Sequence, residues 1–377
     1  MPRTILGHLP ITIHAFWATA ERESGLEILK DDATLNAVWF SSGTGEWEGP
    51  WIDEELLGKV SHRNFFYPDL PSSLSDKMLI IFVGLRPEPN NAVIELLETY
   101  QNVSLLVLSD QKMRHKTKFY GRAVRILRPH YSPFAAWNFK TYAVPLGYHH
   151  SFGRATGIIG DGSRKKKYPW SFFGHIKNED REQMLEAFLA LPDRLGKGQL
   201  HRTTSFNGPD AILGDVVAET FDQTFFVPCP LGFMSPDSFR VMEALERRAI
   251  PVVVEFHGID YFNFTFGDHP FIVAKNWEDA ANMCRNLLEN PKNLSAKLEQ
   301  VEAWYQSYLM ALQLDVAELL LNDSAKVSDL SQQFRRQVSA KLNPLVLAIF
   351  WRHFRWPSLR GKIFRCIDRV RRIVGPS

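Results

Sequence analysis

Cysteine is almost missing from this chain: Cys229, Cys284 and Cys366 are the only three in 377 residues. They stand too far apart for a metal-binding spacing or a disulfide framework, which points to a reduced compartment. No apolar run reaches the roughly 18 residues that a membrane-spanning helix needs. No Gly-x-Gly-x-x-Gly follows the first expected strand, which disfavours a dinucleotide-dependent epimerase or dehydrogenase. No Gly-x-Ser-x-Gly elbow supports a hydrolase triad. There is no Asp-x-Asp, no His-x-x-x-His helix and no cysteine pair, so neither a metal nor a cofactor is expected.

What is present is ordinary in bulk and uneven in detail. Hydrophobic content of 45% and charged content of 23% are those of a soluble protein long enough for two cores. The net charge of +2 hides a split: residues 331–377 carry +10, with Asp368 their only acid, and the first 330 carry −8. Such a split speaks of partners for the tail rather than of the fold. The opening segment, with His8, Pro10 and His14 interrupting its apolar stretch, reads as a first strand over Ile11–Phe16 rather than a secretory signal. The expected location is cytoplasmic, either free or peripheral on the inner face of a membrane.

The order of elements is that of an α/β protein. Further strands are expected at Leu35–Phe40, Leu79–Phe82, Ser104–Leu108 and Val124–Leu127, with helices at Glu21–Leu29 and Ala92–Tyr100. Residues 151–166, rich in Gly and positive charge, read as a connector. A second α/β unit then runs through a strand at Trp170–Phe173, a helix at Asp180–Leu191 and a polar loop at Lys197–Gly208. It continues with a helix at Asp210–Phe221, a strand at Phe271–Ala274 and helices at Trp277–Leu288 and Leu298–Leu320.

The most informative stretch is Phe225 to Val254. A strand ending at Pro228 enters a Pro/Gly loop, Ser235-Pro236-Asp237-Ser238 opens a helix, and a second strand starts at Ile250. In a parallel sheet, ligands sit outside the carboxyl ends of such strands. Ser238 or Asp237 can cap the helix, whose first turn points free N–H groups at an anion. Arg240 and Glu243 share a helix face. Either they pair with each other, or Arg240 meets a phosphate and Glu243 a sugar diol.

Cys229-Pro230-Leu231-Gly232, followed by Ser238-Phe-Arg240-Val-Met-Glu243-Ala244 and Ile250-Pro251-Val252-Val253, resembles the exostosin-type glycosyltransferases, most of all their ribitol xylosyltransferase branch. Trp170-Ser-Phe-Phe-Gly174, Pro270-Phe-Ile-Val-Ala-Lys275-Asn276-Trp277 and Trp304-Tyr305-Gln306 agree in the same order, with weaker agreement over Leu105–Asp110 and at Pro145-Leu146-Gly147. The resemblance covers roughly residues 100–310 in separate blocks. It implies a GT-B fold of two facing Rossmann-like domains around a cleft. The first, residues 1–150, would take the acceptor, and residues 167–325 the nucleotide sugar, leaving a basic helical tail at 326–377. It also implies inverting transfer of a sugar from a nucleotide diphosphate donor to a hydroxyl of a glycan or glycolipid, without a metal.

Carried onto this chain, the resemblance gives Arg240 the donor diphosphate and Glu243 the ribose hydroxyls. Ser238 would cap the helix or touch phosphate, and Gly174 and Gly232 would admit the donor to the backbone. Asp110, after the strand Leu105–Leu108, is the first candidate for the general base. Relatives often carry an acid at the next position, where this chain has Gln111. Glu255 and Asp260 compete for that role, His149 and His150 are surface loop residues or touch phosphate or acceptor, and His201-Arg202-Thr203-Thr204 is a candidate donor loop. Gln111 also supports a rival reading, a glycan- or nucleotide-sugar-binding protein without chemistry. In the tail, Leu359, Ile363, Phe364, Ile367, Val370 and Ile373 recur at helical spacing among basic residues. That pattern suits an anionic membrane surface or a helix packed on the acidic body. No nucleic-acid-binding module accompanies the charge.

Overall fold

In the computed structural model the described residues are 34–322, apart from 41–46, 76, 85, 87, 113, 133–139, 150–151, 153–165, 206–207 and 233–234. The expected strand Ile11–Phe16, the helix Glu21–Leu29, His150, most of the connector and the whole basic tail lie outside them. Among the described residues no helix is long and apolar enough to cross a membrane.

Two parallel sheets organise the chain, as the GT-B expectation requires. The first contains β1 (Leu35–Trp39), β2 (His62–Phe66), β3 (Lys77–Val83), β4 (Asn102–Leu108), β5 (Ile126–Arg128) and β6 (Thr141–Ala143), in the order β2-β1-β3-β4-β5-β6. All five pairings are parallel. Helix α1 (Asn91–Thr99) connects β3 to β4 and is capped by Asn90, whose side chain accepts the Ala92 N–H at 3.1 Å.

The second sheet contains β7 (Tyr168–His175), β8 (Gln199–Thr203), β9 (Thr224–Pro228), β10 (Ile250–Val254) and β11 (Ile272–Ala274), in the order β11-β10-β9-β7-β8, again all parallel. Its helices are α2 (Glu179–Leu189), α3 (Gly214–Asp222), α4 (Phe239–Glu246), the short α5 (Asn263–Phe266), α6 (Trp277–Leu288) and α7 (Pro291–Leu321).

Burial on both faces explains why β3 and β4 read as unbroken apolar runs. Val38, Met78, Ile80, Phe82, Val103, Leu105 and Val107 turn to one side, against Val93 and Leu97 of α1. Ala37, Trp39, Leu79, Ile81, Leu106 and Leu108 turn to the other, into a core that continues through both sheets. A π-helical segment, Trp51–Leu56, covers this second face with Trp51, Ile52 and Leu56.

The last helix departs from expectation. It is one element of 31 residues, and it returns from the second sheet to the first. Gln313 donates to the Glu55 carbonyl at 2.9 Å, and the Lys77 ammonium caps α7 at the Leu321 carbonyl. Near its middle, Tyr305 donates to Glu246 of α4 at 2.5 Å and the Trp304 indole donates to the Asp268 carbonyl at 2.8 Å. The Trp-Tyr-Gln block thus fastens α7 to the second domain before the helix crosses.

Three strands lie where none was expected. The polar stretch at Lys197–Gly208 contains β8 rather than only loop, and β2 and β6 border the first sheet. All three are edge strands, where one-sided pairing tolerates sequences such as Gln-Leu-His-Arg-Thr and His-Arg-Asn-Phe-Phe.

Gly147 explains the Pro145-Leu146-Gly147 block. Its φ is +83°, and a Cβ there would lie 2.2 Å from the Trp51 ring. Gly147→Ala is therefore expected to destabilise the fold by about 2–3 kcal/mol. Denaturant unfolding checks this, and a change under 0.5 kcal/mol would show that Trp51 yields freely.

Candidate functional site

A cleft of about 490 Å³ opens between the two sheets, a size usual for small-ligand pockets. The first domain lines it with Trp47, Gln111, Leu146 and His149. Most of the rest comes from the carboxyl ends of β7 and β8, the segment leading into α3, and the loop that opens α4. Gly174, Gly232, Ser238, Arg240 and Glu243 all line this one cleft.

Arg240 sits in a slot made for it. Its guanidinium donates to the Phe173 carbonyl at 2.7 Å and lies 4.6 Å from the centre of the Phe172 ring. A Cβ on Gly174, where φ is +146°, would stand 2.4 Å from the Arg240 guanidinium. The glycine therefore admits the arginine, where the sequence pattern suggested direct approach of a ligand to the backbone. Burial lowers the Arg240 pKa, and Glu243 opposes that shift.

Gly232 has a different task. Its N–H donates to the Ser235 carbonyl at 2.9 Å, and a Cβ would meet the Asp237 carbonyl at 2.4 Å. It folds the loop tightly in front of α4. Ser238 occupies the N-cap position of α4 with extended backbone, yet its side chain makes no capping bond. Its hydroxyl is buried and has no hydrogen-bond partner. Asp237 does not cap α4 either; its carboxylate accepts the Tyr261 hydroxyl and lies 3.4 Å from the His130 ring.

Two cations that the sequence reading did not single out complete the site. Lys177 follows β7, and Arg181 stands in the first turn of α2. A cation at the positive end of a helix runs against the dipole, and this was the available signal. Arg181 donates to the His175 carbonyl at 2.6 Å and twice to the Leu231 carbonyl, at 3.2 and 3.1 Å. Asp180 accepts the Leu231 N–H at 2.8 Å and the Trp277 indole N–H at 2.8 Å. Consecutive side chains thus clamp both sides of Leu231 in the Cys-Pro-Leu-Gly loop, and Trp277 of the Lys-Asn-Trp block braces the clamp.

Burial, then Arg181, then Arg240 push the Lys177 ammonium down to about 8. Burial and Arg240 also lower Arg181, with Asp180 opposing. Burial pushes Glu243 up to about 7, opposed by Arg240 and by the His149 backbone N–H that it accepts. Three positive groups thus share one wall, where Arg240 disfavours the charged forms of Lys177 and Arg181, and Arg181 that of Lys177.

Beside them lies a flatter, less charged slot. Phe173 and His201 face each other with centroids 6.5 Å apart and planes 27° apart, and Phe173 lies 6.1 Å from Phe221. Ile212 and Val217 complete its apolar lining. Asp210 holds the rim by accepting the Thr204 N–H at 2.6 Å and its hydroxyl at 3.0 Å.

Asp110 is 4% exposed and does not line the cleft. Its carboxylate accepts the Arg114 and His115 N–H groups at 2.8 and 3.0 Å and the Arg128 guanidinium at 3.0 Å. Ser109, with φ of 58°, turns the chain just before it, and Gln111 rather than Asp110 reaches the cleft. Glu255 and Asp260 are likewise outside the lining, and Asp260 pairs with His269 at 3.2 Å.

No protein-family model matches this chain, and no curated protein matches it in sequence. Among solved structures, T4 phage BGT in complex with UDP-glucose overlaps 77% of this chain and 100% of its own, at 11% identity and a TM-score of 0.45. Anabaena Alr3699/HepE in complex with UDP and glucose overlaps 76% and 99%, at 10% identity and 0.45. An alpha1,3-fucosyltransferase overlaps 79% and 94%, at 12% identity and 0.41.

Two outcomes follow from this geometry. Asp110→Ala strands the buried Arg128 charge and is expected to cost about 3–5 kcal/mol of stability. Denaturant unfolding unchanged from the parent would remove Asp110 from this structural role. A bound anion favours protonated Lys177 and raises its pKa above the free value of about 8. Affinity for inorganic sulfate, whose own charge is constant in this range, should therefore weaken as pH rises above about 8, where Glu243 is already ionised, with proton uptake on binding. Calorimetry in two buffers of different ionisation heat at pH 9 checks the uptake, and its absence would take Lys177 out of the anion site.

Proposed function

We propose that this protein is an inverting glycosyltransferase that moves a sugar from a nucleotide diphosphate donor to a hydroxyl of a glycan or glycoconjugate. The observation that carries the reading is the convergence of Lys177, Arg181 and Arg240 on one wall of the cleft, at the start of α4 and beside an aromatic slot. A diphosphate matches three mutually repelling cations and the first N–H groups of a helix. A flat base matches the Phe173–His201–Phe221 slot, and the unpartnered Ser238 hydroxyl can bond a phosphate oxygen or a sugar hydroxyl.

Chemically, the wall serves the step in which the bond between the anomeric carbon and the diphosphate oxygen breaks. Negative charge then grows on the leaving group, and fixed positive charge favours that transition state over the ground state. Glu243, beside Arg240, would accept the ribose hydroxyls once ionised. The first domain, which adds Trp47, Gln111, Leu146 and His149 to the cleft, would receive the acceptor. Anionic lipid at the basic tail, residues 326–377, would bring that acceptor side to a membrane-linked glycan. The +10 charge of residues 331–377 supports this part of the reading.

Protein-dependent release of nucleotide diphosphate from a panel of nucleotide sugars tests the reaction class. No release and no binding from any member of the panel would sink the proposal. Arg240→Ala should lower turnover about a hundredfold, on the order of 3 kcal/mol in the transition state, while the protein stays folded. Near-normal turnover at saturating donor would place the diphosphate elsewhere. Because protein cations supply the charge, chelator is expected to leave transfer nearly intact. Complete loss restored by manganese or magnesium would contradict that division of labour.

A further inference from the structure

Inverting transfer needs a group on the acceptor side that takes the hydroxyl proton. Of the four cleft-lining residues from the described part of the first domain, Trp47, Gln111, Leu146 and His149, only His149 has a side chain able to do so. Asp110, the acid nearest in sequence to Gln111, is 4% exposed and binds Arg128 and two backbone N–H groups. On the opposite wall, Asp237 accepts the Tyr261 hydroxyl, and Glu243 stands beside Arg240 where the diphosphate is proposed.

The position of His149 is fixed from three sides. Its backbone N–H donates to the Glu243 carboxylate, which ties it to α4 across the cleft. Its ring lies 5.9 Å from the Trp47 ring and meets the Phe239 ring edge-on at 5.8 Å. Phe239 is the first residue of α4, next to Arg240. The imidazole therefore lies at the mouth of the donor wall but on the first-domain side. An acceptor hydroxyl approaching the anomeric carbon from that side would meet it.

We infer that His149 is the general base of the transfer, a role that rests on the glycosyltransferase reading above. Neutral imidazole takes the proton from the acceptor hydroxyl as its oxygen bonds to the anomeric carbon. The bond from that carbon to the diphosphate oxygen breaks, and its electron pair leaves with the nucleotide diphosphate toward Lys177, Arg181 and Arg240. The proton remains on the imidazolium until product leaves and then passes to solvent. No further reactant is required.

The test uses full-length protein and compares the parent with His149→Gln and His149→Ala. First, UDP and GDP binding are measured by calorimetry. Then kcat and KM are measured with the donor and acceptor that support release. Expected are nucleotide affinities within about threefold of the parent, KM for donor little changed, and kcat lower by about 10²- to 10⁴-fold. Added imidazole should restore part of the kcat of His149→Ala, and none to Arg240→Ala. A His149→Gln variant that binds nucleotide and keeps more than a tenth of parental kcat overturns the assignment alone. Failure of imidazole to raise the His149→Ala rate, with nucleotide binding intact, also counts against it. A parent protein that binds neither nucleotide and releases none from any donor removes the transferase reading, and the assignment with it.

Discussion

Arg240 is the group around which the second domain is arranged. A half-buried guanidinium needs compensation, and here it comes from the Phe173 carbonyl, the Phe172 ring face and the Glu243 carboxylate. A side chain at residue 174 would displace the guanidinium from this position, and the φ of +146° there itself favours glycine. The same end of β7 presents Lys177 and leads into Arg181. These cations are held close at an energetic cost, which an anionic ligand would relieve. Sites of perturbed protonation gathered in a cleft are common functional sites for this reason.

A second constraint is the seam between the domains. Ser235 and the His130 ring bond at 2.9 Å, the Tyr261 hydroxyl reaches Asp237 and the Tyr131 carbonyl, and Arg247 donates to the Phe152 carbonyl at 3.2 Å. These groups are buried, so their gain in stability over an apolar seam is small and their geometric demand is large. The loop that carries Ser235 and Asp237 also opens α4. Its contacts with His130 and Tyr131 therefore couple the placement of the first domain to that of Arg240. The crossing of α7 adds a second tie through Gln313 to the Glu55 carbonyl and Lys77 to the Leu321 carbonyl.

The fold was readable where burial is two-sided. β3, β4 and β10 are runs of β-branched and aliphatic residues, and α6 was legible from end to end because Asn276 caps it, accepting the Asp279 N–H at 2.8 Å. The edge strands β2 and β8 were not legible, since one-sided pairing leaves their sequences polar. In the site, Arg240 and Glu243 were visible from their spacing on one helix. Lys177 and Arg181 were not, because they reach the cleft from a different βα unit and neither belongs to a spaced motif. Asp110 shows the limit of reasoning from strand ends. The end of β4 does approach the cleft, but the turn at Ser109 hands the carboxylate to Arg128 and sends Gln111 inward.

The two walls of the cleft differ in kind, and the difference has a chemical meaning. On the second-domain wall, fixed cations and a helix start favour charge that appears on a departing group. On the first-domain wall, Trp47, Gln111 and Leu146 carry no charge. In the proposed transfer, an acceptor hydroxyl resting there would gain little help toward ionisation from those three side chains, and its proton would leave as the new bond forms. That ordering suits a base on the first-domain wall itself, and a carboxylate committed to Arg128 would be poorly placed to supply it. The bond from the His149 backbone N–H to Glu243 spans the two walls and links the segment that carries the imidazole to the helix that bears Arg240.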